Sequence, residues 1–116
     1  MVRVRPCEEA DHPALAGVMA EMQAHYGVAC PPDADIRAGL GSRPAGAELL
    51  IAEHDDALVG FAAFSAIYPG PGLRPGCFLK EIYVSDAARG LGAGKALLAE
   101  LARLAPARGP GRIDWT

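Results

Sequence analysis

The chain has 116 residues, a net charge of −3, 51% hydrophobic residues and only 6% aromatic ones. That length accommodates one domain over residues 1–116 with a modest core, because 23 of the apolar residues are Ala and bury little area each. The acidic balance argues against bulk nucleic-acid binding, which depends on Lys and Arg neutralising phosphates, and the apolar content argues against disorder.

In chain order, Val2-Arg3-Val4-Arg5 alternates and stops at Pro6, so a short first strand is expected. A helix is expected over about Asp11–Tyr26. Its Leu15, Val18, Met19, Met22 and Tyr26 form one apolar stripe, with Asp11 as N-cap and Gly27 as the C-terminal stop. Cys30-Pro31-Pro32 breaks the chain. Asp33–Leu40 reads as a second, weaker helix and Gly39–Gly46 as a loop. Glu48–Glu53 and Ala57–Tyr68 read as two strands of a hairpin turning at His54-Asp55-Asp56. Pro69–Gly76 is too rich in Pro and Gly for regular structure. Cys77–Val84 reads as a strand, Gly94–Leu104 as a helix with a Leu stripe, Pro106–Gly111 as a loop, and Ile113-Asp114-Trp115 as the start of a last strand. The order β α α β β β α β implies an α+β fold, with helices flanking a mixed, mostly antiparallel sheet.

No apolar run approaches bilayer-spanning length, and MVRVRPCEEADHP lacks the apolar centre of a secretory signal. Cys7, Cys30 and Cys77 are odd in number, widely spaced and without CxxC, so neither a disulfide framework nor a metal site is signalled. The expectation is a reduced cytoplasmic protein with no membrane attachment, no nucleic-acid partner and no metal. His12, His25 and His54 show no ligand spacing either. Charge is uneven. The stretch Asp33–Asp56 is acidic, whereas Arg89, Lys95, Arg103, Arg108 and Arg112 face a single Glu100 in the C-terminal third. A compact basic region suits a small polyanion.

The run Val84-Ser85-Asp86-Ala87-Ala88-Arg89-Gly90-Leu91-Gly92-Ala93-Gly94-Lys95 follows an expected strand and opens an expected helix. Glycines there allow a tight turn that exposes successive N–H groups. With the positive end of the helix dipole behind them, those groups form a site for phosphate or pyrophosphate. The P-loop pattern fails, since Arg89 and Ala96 stand where Gly and Ser/Thr are needed. The dinucleotide fingerprint fails as well, because counting from Gly90 or Gly92 ends on Lys95 or Leu97.

Arg89-Gly90-Leu91-Gly92-Ala93-Gly94 fits [QR]-x-x-G-x-[GA], and in this setting it resembles the GNAT superfamily of N-acetyltransferases. Leu79, Ile82, Tyr83 and Val84 stand as its central strand, Lys95-Ala96-Leu97-Leu98 continues its helix, and VRVRPCEEADHPAL with MAEMQAHYG is similar to its opening strand and helix. The resemblance covers roughly Val2 to Trp115. It implies a GNAT-like fold and acetyl-CoA (coenzyme A) as co-substrate. The pyrophosphate would lie on backbone amides of Arg89, Gly90, Leu91, Gly92, Ala93, Gly94 and Lys95. The pantetheine arm would lie along Ile82, Tyr83 and Val84. The implied acceptor is the primary amine of a small molecule or an amino group, which attacks the thioester directly.

Glu81, the only carboxylate in the central strand, is the default general base or water relay. Strict alternation sets Phe78, Lys80 and Ile82 on one face and Leu79, Glu81 and Tyr83 on the other. Polyamine-type members resemble this strand but carry an acid where Lys80 sits, and a bulge would reset the facing. Tyr83 and the Met19/Met22 pair read as core, and His25-Tyr26 lies where the family often places acceptor contacts. Members of the family continue past the strand begun at Ile113, with a general-acid Tyr and the second wall of the cofactor slot. The resemblance therefore implies a C-terminally truncated domain, and an open sheet edge favours a homodimer. Two other readings stay open: a non-catalytic acyl-CoA-binding or interaction module, and a generic phosphate-ligand binder.

Overall fold

The computed structural model describes residues 1–108 and 113–115. Its elements are β1 (Val2–Pro6), α1 (His12–His25), α2 (Asp33–Gly41), β2 (Ala47–His54), β3 (Ala57–Ile67), β4 (Gly76–Val84), α3 (Ala93–Arg108) and β5 (Ile113–Trp115). The strands form one sheet in the order β1-β2-β3-β4-β5. β1 to β4 are antiparallel neighbours, and β5 returns parallel to β4 after the α3 crossover. This is the expected mostly antiparallel α+β architecture.

Local chemistry explains the elements. Asp55 and Asp56 both take positive φ, 52° and 64°, the conformation of a two-residue hairpin turn whose twist matches the strands it joins. Gly27 ends α1 at φ 67°. Leu49-Leu50-Ile51-Ala52 in β2 are all buried, so this strand reads as a continuous apolar run rather than an alternating one. The cause is that helices cover both faces of the sheet. Leu50, Ala52, Ala62 and Leu79 pack against Leu97 and Leu101 of α3. On the other face Leu49, Ile51, Phe61 and Tyr83 pack against Leu15 and Ala16 of α1 and Leu40 of α2.

Asp11 stands at the N-cap of α1, as expected, but its side chain makes no capping hydrogen bond. Its carboxylate accepts from the Glu8 amide at 2.7 Å and from both Nη atoms of Arg5 at 2.8 Å, and Arg5 Nε also donates to Glu53 at 2.9 Å. The ion pair outcompetes the helix end, tying β1 to β2 and to the turn before α1. Within this cluster Asp11 and Glu53 are held below the usual carboxylate range by the Arg5 guanidinium. The helix α3 extends beyond its Leu stripe, through Pro106 to Arg108, on Ala and Arg residues of high helix propensity.

The β3–β4 ladder overrides strict alternation. Ala63 pairs with Glu81 and Phe64 with Leu79, so Lys80 is an extra residue in β4, a β-bulge. Before the bulge Cys77 and Leu79 face α3; after it Ile82 and Val84 do, while Tyr83 faces α1. Leu79 and Ile82 therefore share a face that plain alternation would have separated. In the same ladder, a Cβ on Gly60 would stand 2.8 Å from the Tyr83 carbonyl oxygen, so the two strands approach at a point where only glycine fits. No helix among the described residues is long and apolar enough to cross a membrane.

Leu97 is fully buried in the α3 core. Leu97→Ala is expected to destabilise the domain by about 2–5 kcal/mol through lost burial and a cavity. Urea unfolding checks this, with a lowered midpoint and an unchanged slope.

Candidate active site

The glycine run forms a compact turn between β4 and α3. Residues Asp86–Ala88 make one 3-10 turn, and α3 starts at Ala93. Gly90 and Gly92 take φ of 87° and 83°, a region costing an L-residue roughly 1–2 kcal/mol. The amides of Ala88, Arg89 and Leu91 turn inward to the carbonyls of Ser85, Asp86 and Ala88, at 2.9, 3.3 and 3.4 Å. Among the described residues the amides of Gly90, Gly92, Ala93, Gly94 and Lys95 donate to no backbone carbonyl. The last three are the orphan donors of a helix start. A concavity of about 500 Å³, bordered by Val84, Arg89, Gly90, Gly92 and Gly94, lies beside them. A Cβ at Gly90 or Gly92 would meet nothing within 4 Å, so the space next to these amides is open.

Side chains lock the turn from below. Arg89 Nε pairs with Asp86 at 3.0 Å, and its guanidinium lies 5.8 Å from the Tyr83 ring centroid. Glu21 of α1 makes the decisive tether. Its carboxylate accepts from Tyr83 Oη and Ser85 Oγ at 2.7 Å each, and from the Asp86 amide at 3.0 Å. These hydrogen bonds, Ser85 first, hold Glu21 below the ordinary glutamate range. Burial, then the bond to Glu21, raises the Tyr83 phenol. Tyr83 is a core residue with a polar duty. The sequence reading missed Glu21, because its partners lie 62 to 65 positions away.

The edge of β4 supplies a second feature. The Ser85 amide donates to the Val59 carbonyl at 2.8 Å, in register with the Phe61–Tyr83 and Gly60–Val84 pairs. Antiparallel bonding alternates, so Tyr83 turns its backbone groups to β3, and Ile82 and Val84 turn theirs to the opposite edge. On that edge β5 pairs only with Cys77, Phe78 and Leu79. Among the described residues, Ile82 and Val84 have no strand beside them there.

The bulge brings Lys80 and Glu81 together, with Nζ 3.0 Å from Oε1. The Glu81 side chain is 31% exposed and that of Lys80 63%. A second cavity, about 510 Å³, opens on the α1/α2 face and reaches Phe78 and Lys80. The His25 ring packs 5.8 Å from Tyr83 and does not border that cavity. No group of three His, Cys, Asp or Glu among the described residues is placed to hold a metal ion.

Residues 15–116 match the profile of the acetyltransferase (GNAT) family. The chain belongs to that family. Comparison with curated proteins by sequence gives no match. Among solved structures, an integron cassette protein from the mobile metagenome of V. cholerae is 28% identical with a TM-score of 0.85, over 99% of this chain and 74% of that one. A ribosomal-protein-alanine N-acetyltransferase from Brucella melitensis is 27% identical at TM-score 0.85, over 100% and 80%. An aminoglycoside acetyltransferase from an uncultured soil metagenomic sample, solved with sisomicin, is 14% identical at TM-score 0.76, over 99% and 76%, and shares the fold. This GNAT domain is an acetyltransferase domain by family.

Because the Glu21 pKa is depressed by folding, its stabilisation is complete above the ordinary glutamate value, near pH 4.3, and is lost as pH falls through the lower folded value. Glu21→Gln is expected to lower stability by about 1–2 kcal/mol at pH 7, with the gap to wild type closing towards pH 3. Urea midpoints measured across that range check the prediction.

Proposed function

We propose that this GNAT domain transfers an acetyl group from acetyl-CoA to a primary amine. The observation that supports it is the set of unpartnered amides at Gly90, Gly92, Ala93, Gly94 and Lys95 beside an open concavity. These donors suit a pyrophosphate, and the open space where a Cβ would stand at Gly90 and Gly92 lets it approach the backbone. The outward backbone groups of Ile82 and Val84 suit an extended amide-bearing arm laid along β4 as an added strand. Arg89 and Leu91 shape the turn with amides engaged inside it, and Tyr83 braces it through Glu21. The name of the Brucella relative supports an amine as the acceptor.

When bound, the acetyl thioester supplies an electrophilic carbonyl carbon: the amine nitrogen bonds to it, the carbon–sulfur bond breaks, and sulfur leaves as the coenzyme A thiolate. The chain's own contribution is position and a proton acceptor. Glu81 takes the proton that the amine loses, directly or through one water. The Lys80 ammonium on Glu81 favours a second reading, an acyl-CoA-binding module without turnover. An exposed ion pair is worth only about 0–1 kcal/mol, so a substrate ammonium readily takes the place of Lys80, and catalysis remains the better reading.

Calorimetric titration with coenzyme A, with ATP in parallel, tests the loop. Gly92→Ala is expected to weaken coenzyme A binding at least tenfold. Gly46→Ala, with φ of 89° and equally open space, should cost similar strain and leave binding intact. Tight ATP binding without a response to coenzyme A would overturn the assignment. For the base, Glu81→Gln should lower kcat by about 10²–10⁴ with little change in the KM for acetyl-CoA, read by thiol release over an amine panel.

A further inference from the structure

The cavity on the α1/α2 face has apolar walls from Met19, Ile36, Leu40, Leu49 and Phe78. Two cations border it, Lys80 and Arg43. Glu48 also contributes to its wall, but strand alternation groups Glu48 with Leu50 and Ala52, which face α3. Lys80 is paired with Glu81. Arg43, just past α2, donates from Nη1 to the Leu40 carbonyl at 2.9 Å and makes no ion pair among the described residues. Its Nε is shut off from solvent without any hydrogen-bond partner, the single buried side-chain nitrogen or oxygen in that state among the described residues. An Nε closed to solvent is closed to a ligand oxygen as well, so an anion in the cavity would be met at Nη2, the outer guanidinium nitrogen, which makes no hydrogen bond among the described residues.

We propose that this cavity is the acceptor site and that it takes a primary amine carrying an apolar body and a carboxylate, the carboxylate held by Arg43. The proposal rests on the acetyl-transfer reading for the identity of the amine, and on the cavity alone for the rest. The position fits. From Val84 beside the glycine turn to Lys80 at the bulge is four residues, about 13 Å of strand, so an arm running along the β4 edge from the turn ends at the cavity mouth. The charge fits as well. Lys80 is already paired with Glu81, so Arg43 is the cation of the wall left without an ion pair among the described residues, which favours an acceptor that brings a negative group of its own. A free apolar amino acid offers that chemistry, and a dipeptide offers it through the carboxylate of its second residue.

The test is binding to the full chain in the presence of unacylated coenzyme A, which forbids turnover. The probes are L-phenylalanine, L-phenylalaninamide, 2-phenylethylamine, the dipeptide Phe-Ala and spermidine, titrated by calorimetry and by ligand-observed NMR. L-phenylalanine or Phe-Ala is expected to bind at least tenfold more tightly than the amide, the amine or spermidine. Preference for phenylalanine marks a free amino acid as the acceptor; preference for Phe-Ala marks a peptide terminus. Arg43→Met should erase the gap between acid and amide, and Arg43→Lys should keep part of it, with coenzyme A affinity unchanged in both and a lower thermal midpoint in Arg43→Met from loss of the bond to the Leu40 carbonyl. Equal affinity for acid and amide in the wild type overturns the proposal whatever the variants do. Tighter binding of spermidine, or no binding of any probe, overturns it too. If the chain fails to bind coenzyme A yet discriminates acid from amide through Arg43, the acetyl-transfer reading falls and the cavity assignment stands.

Discussion

The ladder between β3 and β4 runs from the Ile67–Gly76 pair to the Gly60–Val84 pair, and each part of the candidate site hangs from it. It holds the bulge that turns Lys80 and Glu81 towards one another. It engages the backbone of Tyr83 and so turns that of Ile82 and Val84 to the free edge. Its last bond, Ser85 to Val59, fixes the point at which the glycine turn departs. Helices on both faces keep this ladder dry, α3 against Leu79 and α1 against Tyr83, which makes displacement of β4 costly.

Around that frame the charges are divided by task. Those near the glycine turn are mostly committed to its shape: Arg89 to Asp86 and the Tyr83 ring, Glu21 to Ser85, Tyr83 and the Asp86 amide. The proposed anion site is left to backbone dipoles, which need no side-chain reorganisation when a ligand arrives. On the opposite face of the sheet the pattern reverses. There the walls are apolar, and the charges at Lys80 and Arg43 are presented towards a cavity. The glycine turn offers backbone groups, and the cavity offers side chains.

The glycine turn was legible because its determinants are local. Gly90, Gly92 and Gly94 fall within a few residues of one another, and the same spacing that writes the motif writes the backbone conformation. The hairpin at Asp55-Asp56 and the stop at Gly27 were legible for the same reason. The facing of β4 was not, since the bulge at Lys80 arises from how β4 is matched to β3, and no residue near position 80 announces it. Asp11 was read as a helix cap because local rules favour that role. The Arg5 guanidinium, brought close by the first strand, claimed the carboxylate instead. Glu21 looked like an ordinary polar residue of an amphipathic helix, and only the folded chain sets it against Ser85 and Tyr83.

Position 60 shows how narrow the tolerance of such a scaffold is. With no side chain between the two backbones, the strands touch where a single methyl group would press on the carbonyl of Tyr83. A push there travels along one short lever. The residue pressed, Tyr83, is the one whose phenol is tethered to Glu21 on α1, and Glu21 in turn holds Ser85 and the Asp86 amide at the start of the glycine turn, although residue 60 lines neither of the two cavities.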